Sequence, residues 1–300
     1  MGAFVQQMLN ALQLGSVYAL ISLGYTMVYG ILRLINFAHG DIFMVAAYVG
    51  FFAMTFLLSV RLPSSLTFVC GMLLTMAATA LLAVLIERVA YRPLRNAPRV
   101  SVVITALGVG TFLENFTLAT LGAEPRSMPA LIPAVNLDLQ GVTISTVQIV
   151  IVLVSVCLML LLDATVMKTM TGIAMRAVSY DRTTAQLLGV PVNRIISITF
   201  AIGSAVAGAG GILYGQAYPI IDPYMGLRIG WWAFIAAVVG GIGNIRGAMV
   251  GSYVLALVEI LTPVFLPSST YRDFVAFSLL LLFLVLRPTG ILGQPIAKKV

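Results

Sequence analysis

The sequence predicts an all-α polytopic membrane protein: a bundle of eight or nine transmembrane helices with broken or re-entrant segments. Three observations predict it. Sixty per cent of the 300 residues are hydrophobic and only 9% are charged, against about 25% charged in soluble domains. The charge-free runs reach the roughly 20 residues that cross hydrocarbon as helix. These runs do not alternate as barrel strands do. A single water-soluble core of this size is also disfavoured, because soluble cores stop growing near it.

In order along the chain, uncharged runs cover 1–32, 42–60, 62–86, 139–162, 195–221 and 229–245. Residues 100–123 are interrupted only by Glu114 and residues 247–271 only by Glu259. The stretch 274–286 is short, so its span begins before Asp273. The chain is read as one transmembrane domain, 1–300, with a polar loop at 164–193 inside it. Cys70 and Cys157 both fall within predicted helices.

The net charge of +7 is an orientation signal rather than a nucleic-acid footprint. Arg88, Arg92, Arg95 and Arg99 cluster before the fourth span. Lys168, Arg176, Arg182 and Arg194 lie in the long loop, and Arg287, Lys298 and Lys299 in the tail. Short basic loops stay in the cytoplasm, which places these three segments and the C-terminus inside. Nine crossings would place the N-terminus outside. Trp231 and Trp232 fall where an outer interfacial belt is expected.

Much chemistry is excluded. One histidine and two distant cysteines cannot build a structural zinc site. A Walker A loop needs Gly-Lys followed by Ser or Thr, and none of Lys168, Lys298 and Lys299 follows a glycine. "GGIGNIRG" at 240–247 is no dinucleotide fingerprint, since Arg246 stands where the last glycine is required. No catalytic, cofactor-binding or metal-binding residue is assigned. Transport, sensing and scaffolding remain.

Two apolar runs are broken by polar groups and glycine. The first break, "RLINFAHGDIF" (33–43), holds Asn36, His39, Gly40 and Asp41. The second holds Gly241, Gly243, Asn244 and Gly247. Interruptions in corresponding halves of a transporter mark binding sites, so these eight residues are translocation-path candidates. A second reading stays open: both breaks are hairpins at the cytoplasmic ends of helices. Asp41 then stands at the positive end of the helix 42–60. Glu114 and Glu259 are intramembrane acids that line a watery path or pair inside the bundle. Gly203, Ala207, Gly211 and Gly215 form a small-residue stripe for close helix packing.

In the long loop, "RAVSYDRTTAQLL" contains nothing that breaks a helix over 176–188. Gly189 supplies the stop, with Pro191 beyond it. Ala177, Tyr180, Thr184 and Leu188 share one face of that helix. On physics alone it is an interfacial helix or one that docks on a partner.

"INFAHGDIFMVAAYVG", "RA…A…LLGVPV" with "ITFAIGSAVAGAGGILYG", and "VVGGIGNIRGAMVGS" together resemble the branched-chain amino acid permease family of ABC importers. The resemblance runs over 36–252 and points to the shorter of two related subunits. It implies a bacterial inner-membrane complex with a second homologous permease, two cytoplasmic ATPase subunits and a periplasmic substrate-binding protein. The loop 122–141 is a candidate dock for that last partner, or an ordinary outer loop. The resemblance also gives Arg176, Ala177, Tyr180, Asp181, Thr184, Ala185, Leu188, Gly189 and Pro191 the role of coupling to the ATPase. The expected function is inward passage of branched-chain amino acids. The rivals are urea or short amides through the same type of machinery, and a stand-alone ion-coupled carrier using Asp41, Glu114 and Glu259.

Overall fold

The computed structural model describes residues 2–95, 97–139, 141–266, 268 and 270–293. In chain order it contains α1 (Gly2–Leu32), α2 (His39–Ser59), α3 (Ser64–Ile86), α4 (Arg99–Leu121), β1 (Arg126–Ser127), β2 (Asn136–Leu139), β3 (Val142–Ser145) and α5 (Thr146–Lys168). There follow α6 (Met170–Tyr180), α7 (Arg182–Leu187), α8 (Val192–Ala217), β4 (Ile220–Ile221), α9 (Met225–Gly240), α10 (Ile245–Phe265) and α11 (Tyr271–Leu286). α3 continues directly as a π-helical turn, Glu87–Tyr91, and a short 3₁₀ turn, Arg92–Leu94.

Among the described residues, seven helices are long and apolar enough to cross a bilayer: α1, α2, α3 with its extension, α4, α5, α8 and α10. The expected count of eight or nine is not met by length alone, because α9 and α11 have only 16 residues each. In α9 the cause is visible, since its first turn lies against the start of α2 inside the bundle.

Burial sets the architecture. α1 is the axis: 89% of its most apolar window is buried, against 22% for α5 and 28% for α3 and α4. Lipid supplies no hydrophobic drive for helices to associate, so close packing and hydrogen bonds do that work. Gly24 of α1 meets Gly203 of α8 backbone to backbone. Ser22 and Ser252 share a hydrogen bond of 2.7 Å, Ser16 and Tyr253 one of 3.1 Å, and the Tyr18 hydroxyl donates to Glu259 at 2.7 Å. The stripe read at Gly203, Ala207, Gly211 and Gly215 packs as expected: Gly211 lies on the Phe43–Ala47 backbone of α2 and Gly215 on Met128.

The two ends of the bundle differ. At one, Gln6 of α1 accepts from the Thr143 amide of the β2–β3 hairpin at 2.8 Å, and β1 pairs with β4. This is the hairpin end. The other carries Arg95, Arg99, α6, α7 and residues 287–293, and we call it the basic end. There the amides of Ile291 and Leu292 donate to Val239 and Gly240 at 2.9 and 3.0 Å. Trp231 and Trp232 point to different surroundings. Trp232 is buried and stacks on Tyr18, while Trp231 packs on Phe37 and Phe234.

Between α1 and α2 the chain turns back on itself. Arg33 adopts a left-handed φ of 57°, an unusual conformation outside glycine. The following residues then climb until His39 lies against Gly24. Gly24 precedes the end of α1 by eight residues, or about 12 Å of helix rise. The break at 33–38 is therefore re-entrant, and α2 begins inside the bundle rather than at its end.

Candidate functional site

Where α2 begins, it meets α4 and α9. Gly40 packs directly on Gly226 and Gly230, with no side chain between the two backbones. Gly110 of α4 leaves room for the Asp41 carboxylate, whose Oδ2 would collide with any Cβ there. These glycines allow a cavity of about 150 Å³. Asp41, Glu114 and Thr111 line it, with Tyr25, Phe37, Trp231 and Phe234 as aromatic wall. Asp41 is only 6% exposed, and its Oδ1 is buried without a hydrogen-bond partner. The cavity opens between α4 and α9, where Leu107, Thr111 and Leu227 are exposed.

The capping reading of Asp41 is met in part. It lies in the first turn of α2, where helix dipoles favour negative charge, but no side-chain capping bond forms. His39 does not reach the cavity. It is fully buried, edge-on to Tyr25 at 4.9 Å between centroids. Asn36 accepts from the Tyr91 hydroxyl at 2.6 Å and lines a different pocket beside Arg95 and Arg182.

The second break lies elsewhere. Gly241 takes a φ of 112° and packs on Gly290 and Gly293. Gly243 sits by Gly30 at the basic end, and Gly247 packs on Gly240. Asn244 caps α10 through the Gly247 amide at 3.1 Å and donates to the Leu292 carbonyl at 2.7 Å. The structure thus does not bring the two predicted segments into one cavity. The second half contributes Gly226 and Gly230 instead, which sequence reasoning missed. Their signal was the small-xxx-small spacing in "MGLRIG". Of the two intramembrane acids, Glu114 lines the cavity, whereas Glu259 is paired with Tyr18.

At the basic end the long loop forms an elbow rather than the single predicted helix 176–188. The break falls at Asp181, in extended conformation, whose Oδ1 accepts from the amides of Thr183 and Thr184 at 2.9 and 3.2 Å and so caps α7. An aspartate offers its own backbone an alternative to helix, and here that alternative wins. Gly189 ends the elbow with φ 82°, and Pro191 precedes α8. Ala185 is buried and Ala177 half-buried, while Thr184 is exposed. Arg176 donates to the Val166 carbonyl. Tyr180, Leu187 and Leu188 protrude, 81%, 84% and 78% exposed.

Three hydrogen bonds from two side chains tie the elbow to the axis of the bundle. Ser179 Oγ donates to the Gly30 carbonyl, and Arg182 donates to the carbonyls of Ile31 and Leu32 at 3.3 and 2.9 Å. These are terminal carbonyls of α1 that lack helical partners. Burial, with Arg95 nearby, holds the Arg182 guanidinium below its ordinary pKa. Beside it, the fully buried Glu87 of the π turn receives Arg95, and Ser197 donates to it at 2.6 Å. Sequence reasoning had used Arg182 only as an orientation charge and had not singled out Glu87.

Residues 7–285 match the family described as branched-chain amino acid transport system / permease component. The chain is 42% identical to the high-affinity branched-chain amino acid transport system permease protein LivH of Escherichia coli, over 99% of this chain and 98% of that one. It is 41% identical to the corresponding permease protein BraD of Pseudomonas aeruginosa, with the same coverage. A probable branched-chain amino acid transport permease of Methanocaldococcus jannaschii is 26% identical over 95% of this chain and 91% of its own length. With the match running from α1 into α11, the chain belongs to the permease-component family of branched-chain amino acid transport systems.

Proposed function

We propose that this chain is the membrane-spanning permease subunit of an ABC importer for branched-chain amino acids, driven by ATP hydrolysed on separate subunits. The observation that carries this reading is the end-to-end likeness to permeases of that transport system. The basic end is then cytoplasmic and the hairpin end periplasmic, as positively charged loops require. The elbow within 164–193 takes up the motion of an ATPase subunit. A second, homologous permease covers the cavity mouth between α4 and α9. Lipid is a poor cover there, because a charge facing the bilayer centre costs about 2.5–3.5 kcal/mol. A periplasmic binding protein delivers the solute at the hairpin end.

The test is uptake of radiolabelled leucine in vesicles holding both permeases, both ATPases and the binding protein. Uptake is expected only with ATP and all five chains. Uptake by this chain alone under a proton gradient would replace the reading with that of an ion-coupled carrier.

In this scheme Arg182 links the elbow to the end of α1 and so to the re-entrant segment 33–38 that leads to Asp41 in the first turn of α2. Arg182→Ala leaves two helix-terminal carbonyls without their donor, each hydrogen bond to a charged group being worth about 1.5–3 kcal/mol. The expected result is a roughly tenfold fall in uptake, the equivalent of about 1.4 kcal/mol, with ATP hydrolysis retained. Equal losses of transport and hydrolysis would assign Arg182 to assembly instead.

A further inference from the structure

The cavity at the start of α2 has an electrostatic oddity that transport alone does not explain. Two acids line it, Asp41 and Glu114, and among the described residues no lysine, arginine or histidine does. Among the described residues neither acid forms an ion pair, and the Oδ1 of Asp41 is buried without any partner. Buried carboxylates are ordinarily paired or hydrogen-bonded, so this arrangement asks for a cation.

The remaining wall says which kind. A hard inorganic cation needs about six oxygen ligands, and here the wall is mostly hydrocarbon. Phe37, Trp231 and Phe234 form a triangle with ring centroids 5.8–5.9 Å apart. Aromatic faces attract organic ammonium groups, and Leu107 and Leu227 extend the apolar rim. A volume of about 150 Å³ suits an ammonium head with part of an aliphatic chain.

We infer that this cavity is a subsite for the ammonium group of the passing solute, with Asp41 and Glu114 as its counter-charge and the Phe37–Trp231–Phe234 cluster as its wall. The identity of the solute rests on the transport reading above; the sign of the site does not. An α-amino acid then passes with its ammonium group toward α2 and α4. A solute without a cationic head gains nothing here.

The test separates the two readings. In the assembled complex, with Cys70 and Cys157 replaced by serine, Thr111→Cys places a thiol on the lining. Its labelling rate is measured with aminoethyl methanethiosulfonate, a cation, and sulfonatoethyl methanethiosulfonate, an anion. The cation is expected to react at least about tenfold faster, the lower end of what a like-charged cleft does to local counter-ion concentration. Glu114→Gln or Asp41→Asn should shrink that preference severalfold. Isopentylamine should protect the thiol, and isocaproate, which carries the carboxylate without the amine, should not. Leu107→Cys on the same rim serves if Thr111→Cys fails to assemble. Equal labelling by both reagents, or equal protection by the amine and the carboxylate, overturns the subsite. Cation preference and amine protection in a complex that fails to import leucine leave the subsite standing and overturn the solute.

Discussion

Replacing Leu187 and Leu188 together with aspartate is expected to abolish leucine uptake while the protein still reaches the membrane in normal amount. Both side chains are more than three-quarters exposed, and surface substitutions usually move stability by no more than about 0.5 kcal/mol. The fold should therefore tolerate the change. The docked state should not. Burying one leucine against a partner contributes roughly 1.5–3 kcal/mol, and the double variant loses two such anchors and adds two charges that must be stripped of water. The combined loss exceeds about 3 kcal/mol, more than a hundredfold in affinity. Co-purification of the ATPase subunits and vesicular uptake should fall together. The double alanine variant should fall in between. Normal uptake by the aspartate variant would remove the elbow from the coupling path.

Gly40→Ala is expected to prevent α2 and α9 from docking at all. A methyl group on Gly40 would overlap the Gly226 carbonyl oxygen and stand 2.9 Å from the Gly230 Cα. Both obstacles are backbone, so no rotamer change relieves them. Overpacking costs typically 1–3 kcal/mol even where side chains can give way, and here whole helices must separate. Loss of a monodisperse complex and a lowered melting temperature are the expected readouts. Gly108→Ala is the matched control. It sits on neighbouring α4 with nothing within 4 Å of its new methyl, and removing a helix glycine should gain about 0.5–1 kcal/mol. Should both variants melt alike, the close approach of α2 and α9 is not what holds the site together.

How much of this was written in the sequence depends on the range of the interaction. The apolar runs predicted the long helices, because spanning length and composition are local properties. Gly189 was legible as a helix stop because its left-handed conformation is one that other residues adopt at a cost. The break at Asp181 was not, since an aspartate inside a helical stretch either points to solvent or caps a new helix, and neighbouring residues do not decide which. Asp41 and Glu114 stood out as charges among apolar residues. Their meeting could not be read, because it depends on Gly110, Gly226 and Gly230 letting three helices converge from distant parts of the chain. Asn244 was read as a path residue for its polarity, yet its two hydrogen bonds are spent on α10 and on Leu292.

The burial of α1 has a consequence for how the molecule is made. α1 packs mainly on α8 and α10, and the hydroxyls of its Ser16 and Ser22 find partners at Tyr253 and Ser252. Those residues are synthesised more than two hundred positions later. Until then Ser16 and Ser22 have only carbonyls of their own helix, those of Leu12 and Ala19, to bond. A nascent polypeptide ending before α8 would thus carry its most companion-dependent span without the two helices that cover most of it.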